Sequence, residues 1–213
     1  MLTLDMMQRR WPNGNQRVPG LLEGIVAAAD AVFATYGLDS PLLVAHAMAQ
    51  FSVECASGTV MIENMNYSAQ RLLVVFPTHF TAATAAAAAH NPQMIGQIAY
   101  GGRMGNAPPP STDGFVFRGA GLSQVTGRNG VTALQAKLNA NGAGIDILTH
   151  PELIIDPAHA LECGVADLIV CGCLPHAVAD DVVGVTKAIN GGLNGLADRR
   201  QQLALWKTEL GVA

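Results

Sequence analysis

Charged residues make up only 13% of the 213-residue chain, against 50% hydrophobic. That balance excludes the charge-rich, apolar-poor composition of disordered chains and leaves enough apolar side chain to bury a substantial core. Lysine and arginine form no run, and the net charge is −4. Without a basic surface, nucleic acid is not an expected partner. The same deficit disfavours simple electrostatic attachment to an anionic cell envelope, so any ligand there would have to be held in a cleft. No stretch approaches the ~18 uninterrupted apolar residues of a membrane span, ADLIVCGCL being too short, and membrane insertion is not expected. MLTLDMMQRRWPNGNQ lacks a basic region leading into an apolar core and cleavage site, so the chain is expected to be made in the cytoplasm without a signal peptide.

Cysteine is sparse as well: Cys55, Cys163, Cys171 and Cys173. Two of them lie two residues apart, a spacing that does not readily bridge within a helix, so reduced, buried thiols are expected. A zinc site built from Cys163, Cys171, Cys173 and His176 matches no common structural pattern, and neither metal nor cofactor is expected.

What is present is helical periodicity. Leu21, Leu22, Ile25, Val26, Ala29, Val32 and Phe33 form an apolar stripe that Gly37 can terminate. Ser40 is placed to cap a second helix, with Pro41 at its first position, so that LLVAHAMAQFSVECA forms a buried helix with Glu54 in its last turn. SGTVMIENMNY breaks that pattern and suits a loop or short hairpin carrying Glu63. SAQRLLVVF, TAATAAAAA and NPQMIGQIAY read as three shorter helices. Residues 101–121, rich in glycine and proline, should be mostly loop. VTALQAKLN, DPAHALECGVADLIVCGCL, DVVGVTKAI and LADRRQQLALWKTEL complete a single domain over residues 1–213.

Two glutamates nine residues apart in different settings are candidates for acid and base. Glu54, at the negative end of a helix dipole and beside Phe51 and Val53, is in surroundings that favour the neutral acid needed to protonate a leaving oxygen. Glu63, beside Asn64, Asn66 and Tyr67, is in a polar segment suited to a carboxylate base. Facing carboxylates ~6.5–9.5 Å apart, with water between, would invert a glycosidic centre. Taken alone, both residues could equally be ordinary surface acids, Thr126 a β-branched packing residue, and Arg199 one of two adjacent arginines on a solvated helix face.

The blocks AHAMAQFSVE, IENMNYSAQRL, YGGRMGN, DGFVFRGAGLSQVTGRN and INGGLNGLADR, in this order between about Ala45 and Arg200, resemble the glycoside hydrolase family 19 chitinases. Within that family they are most similar to the short, lysozyme-like endolysins of phages and prophages. The resemblance implies a mainly α, lysozyme-like fold with a small β-hairpin or loop lobe at the cleft. It also implies an inverting endo-glycosidase, with Glu54 matching the family's acid, Glu63 its base and Thr126 the hydroxyl that positions water. Gln124 and Asn190 match substrate-contacting amides, and Tyr67, Arg103 and Arg118 match positions around the cleft. Arg199 matches an arginine near the carboxylates, where it is expected to hold Glu63 ionised. His46 is read as a core or surface residue.

Departures from the family pattern also stand out. Val53 and Cys55 replace the usual histidine and serine around the first glutamate, which should dry the pocket and set an oxidisable thiol beside it. Ala120 replaces the second arginine of RGRG, Gly130-Val131 replaces an Asn-Tyr pair, and no aromatic pair occurs around Leu168–Val170, thinning the sugar contacts. The resemblance implies hydrolysis of β-1,4 bonds in peptidoglycan by a monomer that reaches the wall after holin-type release. A chitinase acting on N-acetylglucosamine polymers is the alternative, as is a degenerate glycan-binding relative or a structural component of a phage particle.

Overall fold

The computed structural model describes residues 2–212. Twelve helices follow in order among these residues: α1 (Leu4–Arg10), α2 (Leu21–Tyr36), α3 (Pro41–Glu54), α4 (Ala69–Val75), α5 (Ala82–Ala88), α6 (Pro92–Tyr100), α7 (Asp113–Val116), α8 (Gly127–Ala140), α9 (Ala160–Val170), α10 (Leu174–Val178), α11 (Val182–Asn190) and α12 (Leu196–Glu209). The fold is mainly α, as expected.

α3 runs through the middle of the larger core. Ser40 caps it, its hydroxyl accepting from Leu43 N, and Pro41 opens it. Every residue from Leu43 to Ser52 is buried. The helix is apolar all round because neighbours enclose it: α12 and α10 pack along it, and α2 packs on α9. Near its end, Ser52 Oγ accepts from the indole N–H of both Trp11 (2.8 Å) and Trp206 (2.9 Å) and donates to Met48 O (2.7 Å). The two ends of the chain are thereby tied to the turn that ends in Glu54, with both buried indole donors satisfied. α2 ends where its stripe ends: Gly37 adopts φ 74° and returns its N–H to the Phe33 and Ala34 carbonyls.

A second, separate apolar cluster joins α4, α5 and α6 through Met65, Leu72, Phe80, Ala85, Ala88, Ile95 and Ala99. Tyr67 and Tyr100 meet the Phe76 ring edge-on, with centroids 5.8 and 6.0 Å apart.

Of the loop or hairpin expected around Glu63 the loop is found, one helix is shorter than expected, and one helix was not read from the sequence. No strand, and hence no hairpin, occurs among the described residues. Residues 61–63 instead run extended along 119–121, with isolated bridges joining Ile62 to Ala120 and Ala120 to Val125. The helix expected to continue past Cys171 stops at Val170, where Gly172 takes φ 78°, and α10 starts separately. Residues 4–10, which carry no apolar stripe long enough to announce a helix, form α1 under a Thr3 cap. No single helix among the described residues is long and apolar enough to cross a membrane.

Candidate active site

Glu54 emerges from the core at the last turn of α3 with its side chain 14% exposed, and its Oε1 accepts from Arg199 Nη2 at 2.7 Å. Arg199, in the first turn of α12, is almost completely buried. Its Nη1 donates to Gln50 Oε1 (2.5 Å), one turn before Glu54 on α3, and its Nε to Asn194 O (3.1 Å). The guanidinium is therefore fixed on three sides by acceptors, the geometry in which a buried arginine is stable. This corrects the expected pairing of Arg199 with Glu63. A fixed cation thus lies against the Glu54 carboxylate, beside the apolar neighbours read from the sequence.

Glu63 is held from the other lobe. Its backbone N–H donates to Gly119 O (2.8 Å), Tyr100 Oη donates to its Oε1 (2.9 Å), and Gly119 N donates to its Oε2 (3.3 Å). Burial pushes the Tyr100 hydroxyl well up, and the negative Glu63 pushes it further, so this phenol remains a donor. Each carboxylate oxygen has a protein donor. Tyr67 lies close enough for the Glu63 charge to add to the upward push that burial exerts on its hydroxyl, while its ring packs on Phe76.

The loop 118–126 gathers the remaining groups. A side chain at Gly119 would come within 3.1 Å of Gln124 Oε1, 3.3 Å of Thr126 Oγ1 and 3.6 Å of Glu63 Cβ, so these three converge on a spot that the absence of a side chain keeps open. Gln124, at φ 55°, anchors its Nε2 on the Val60 (3.0 Å) and Gly121 (2.9 Å) carbonyls. Thr126 Oγ1 donates to Gln124 O at 2.9 Å. Its proton is thus already used, and it faces the site as an acceptor. Packing beside Val125 is therefore not the only role of Thr126.

Asn190 ends α11, and its Oδ1 is buried with no protein donor, while the Gln50 Nε2, on the far side of its bond to Arg199, is buried with no protein acceptor. Buried polar atoms without partners are rare and mark places where a ligand or water is accommodated. Arg118 lies over the Phe115 ring at 4.0 Å, near enough to Glu63 to feel its charge. Arg103 is turned away, toward His79 and Ala99 O. His46 is a core residue whose Nε2 meets Asp180 at 2.8 Å.

The two substituted neighbours of Glu54 also find their places. Val53 packs toward Gly195, where a side chain would meet its Cγ1 at 3.3 Å. Cys55 is fully buried, its Sγ donating to Phe51 O (3.0 Å) and accepting from Gly58 N (3.3 Å), and burial pushes its thiol up to about 12. An oxidisable thiol beside the site, as the sequence suggested, is therefore not found: this one is enclosed and protonated. No three His, Cys, Asp or Glu side chains gather as a metal centre among the described residues.

Tyr100, Gln50 and Asp167 were not anticipated from sequence. Tyr100 lies within the YGGRMGN block, but nothing local signals a contact with Glu63. Asp167 of α9 is only 5% exposed, and burial pushes its carboxyl up to about 6, against a lowering by the Ser123 hydroxyl and with a further push from Glu54. The folded protein thus binds this proton more tightly than the unfolded chain. Stability is lost as pH rises from about 4 to 6, and the penalty is complete above that range. Asp167→Asn should raise unfolding stability by up to about 3 kcal/mol at pH 8 and by nothing at pH 3.5. Urea midpoints at the two pH values test this, and an equal gain at both would show that charge is not the cause.

No family model matches the chain. Among curated proteins, it is similar to one from Haemophilus influenzae named glycosyl hydrolase family 19 domain-containing protein. The two are 32% identical over 187 residues, covering 87% of this chain and 88% of that protein.

Proposed function

We propose that this chain, which belongs to glycosyl hydrolase family 19, is an inverting endo-glycosidase that hydrolyses the β-1,4 bonds of bacterial peptidoglycan as a single catalytic domain. The observation that carries the reading is the contrast between its two carboxylates. Glu54 stands against one buried cation on the larger core, whereas Glu63 stands between a phenol and a backbone N–H at the edge of the smaller cluster. In the reaction, Glu54 gives its proton to the leaving oxygen, and the carboxylate that results is the form Arg199 pairs with. Glu63 keeps two donors on its oxygens while it takes a proton from the attacking water. Thr126, its own proton spent on Gln124 O, accepts a hydrogen bond from that water and so fixes its approach. The unpartnered Asn190 Oδ1 suits the N–H of an N-acetyl group or a sugar hydroxyl. Gln124, pinned at its amide nitrogen, offers Oε1 to the same sugar.

The similarity of the five motif blocks to lysozyme-like endolysins favours peptidoglycan over chitin. In that role the protein would be made in the cytoplasm and reach the wall through a holin-type opening. The test is to digest purified glycan strands and soluble chitin oligomers while following the anomeric proton by NMR and identifying the new reducing ends. Muramic acid ends that form first as the α-anomer are expected. Retention of the β-anomer excludes inversion, and cleavage of chitin alone excludes the peptidoglycan reading.

A further inference from the structure

The extended segment that presents Glu63 has another side. Val60, Ile62 and Asn64 border a hollow of about 760 Å³, and a second hollow of about 570 Å³ shares Ile62 and Ile155 with it, so the two adjoin as a groove-like surface. Its walls mix aliphatic side chains, of which Val60, Ile62 and Val116 are exposed, with the polar Thr59 and Asn64. Arg17 stands toward one end and Arg118 toward the other. Arg17 is exposed and pairs with no carboxylate among the described residues. Phe115 is the one aromatic ring in the lining, and the Arg118 guanidinium covers it at 4.0 Å. The one carboxylate, Glu152, is directed to His150 (3.3 Å). The groove therefore offers methyl-sized apolar contacts and cations, with no bare ring on which a sugar could stack.

We infer that this groove holds the peptide stem of the peptidoglycan strand whose glycan is cut between Glu54 and Glu63, an inference that rests on the peptidoglycan reading above. A stem is a short, extended peptide of alanine methyls and free carboxylates hung from the lactyl group of alternate sugars. Its methyls match the aliphatic walls and its carboxylates match the arginines. Position agrees with composition: Ile62 and Ala120, joined by a backbone bridge, directly adjoin Glu63 and Gly119. The hollows thus begin one residue from Glu63 on the opposite face of the same extended segment, and a stem leaving a sugar seated at Glu63 would reach them around that segment. Chitin, which carries no stem, would leave the groove empty.

The experiment compares initial rates on glycan strands with stems intact and on the same strands after an amidase has removed them. The native protein should prefer intact strands by about tenfold, equivalent to about 1.4 kcal/mol of added binding. Arg17→Glu and Val116→Glu alter the exposed wall of the groove and no proposed catalytic or sugar-binding group. Each should cut the preference to about threefold or less while leaving the rate on stripped strands unchanged. Equal native rates on the two substrates overturn the groove assignment and leave the hydrolase reading intact. So does a preference that neither variant reduces, or variants that slow both substrates alike. Failure to cut either strand overturns the peptidoglycan reading itself.

Discussion

Replacing Glu54 by glutamine is expected to lower kcat on peptidoglycan roughly 10³-fold, the scale of a lost general acid, while KM changes little. Glutamine keeps an oxygen for Arg199 Nη2, and the guanidinium retains Gln50 Oε1 and Asn194 O, so the fold should persist with a loss of about 1–2 kcal/mol. The chemistry provides an internal control. A natural sugar leaving group needs a proton, whereas a nitrophenyl glycoside does not, so on an activated aryl oligosaccharide the variant should regain most of the native rate. Glu63→Ala should behave in the opposite way. It should be slow on both substrates, because water still has to be deprotonated, and azide, a nucleophile that needs no base, should rescue it as the inverted glycosyl azide. If the Glu54 variant is equally impaired whatever the leaving group, Glu54 is not the proton donor. If it clears cell walls as the native protein does, the chain binds glycan without cutting it by this mechanism.

How much of this arrangement was legible in the sequence depends on the range of the interactions that build it. The caps at Ser40 and Gly37 are local, and the ends of α2 and α3 fall where serine, proline and glycine put them. The position of Glu54 in the last turn follows from these caps. Its direction does not, because a helix buried on every face carries no periodic stripe from which to read an outward side. Arg199 illustrates a signal that was present but unread. It shares one face of α12 with Leu203 and Trp206, at spacings of four and three, and all three are buried. An arginine on an otherwise apolar stripe is a buried cation that requires acceptors, whereas its neighbour Arg200 is exposed. Which acid it pairs with was beyond reach, because Glu54 lies 145 residues away in the chain. The support of Glu63 was equally illegible. Tyr100 is separated from it by 37 residues and Gly119 by 56, and a segment that breaks helical patterning reads as loop or hairpin without showing that its partner is a distant loop. α1, capped by Thr3 and with Asp5 and Arg9 four apart, went unread because seven residues are too few for an apolar stripe to show.

Arg199→Met is expected to be the most damaging single change outside the two acids, costing about 3–5 kcal/mol of unfolding free energy and nearly all activity. Methionine fills the space but satisfies none of the three acceptors, leaving the Glu54 carboxylate and Gln50 Oε1 facing an apolar side chain. Lysine keeps the charge but presents one compact ammonium where a planar fork now reaches Glu54, Gln50 and the Asn194 carbonyl at once. Arg199→Lys should therefore recover part of the stability and little of kcat. The informative comparison is a double-mutant cycle. If the guanidinium acts on Glu54, as the 2.7 Å contact requires, then once Glu54 is glutamine, replacing Arg199 costs less than before. A coupling of about 1–3 kcal/mol is expected for that pair, and less than about 0.5 kcal/mol for Arg199 with Glu63→Gln. The reverse pattern would assign the cation to the base, as the family resemblance implied. Under the expected pattern the arginine does not hold the water-activating carboxylate ready. It receives instead the negative charge that the acid acquires when its proton leaves with the departing sugar.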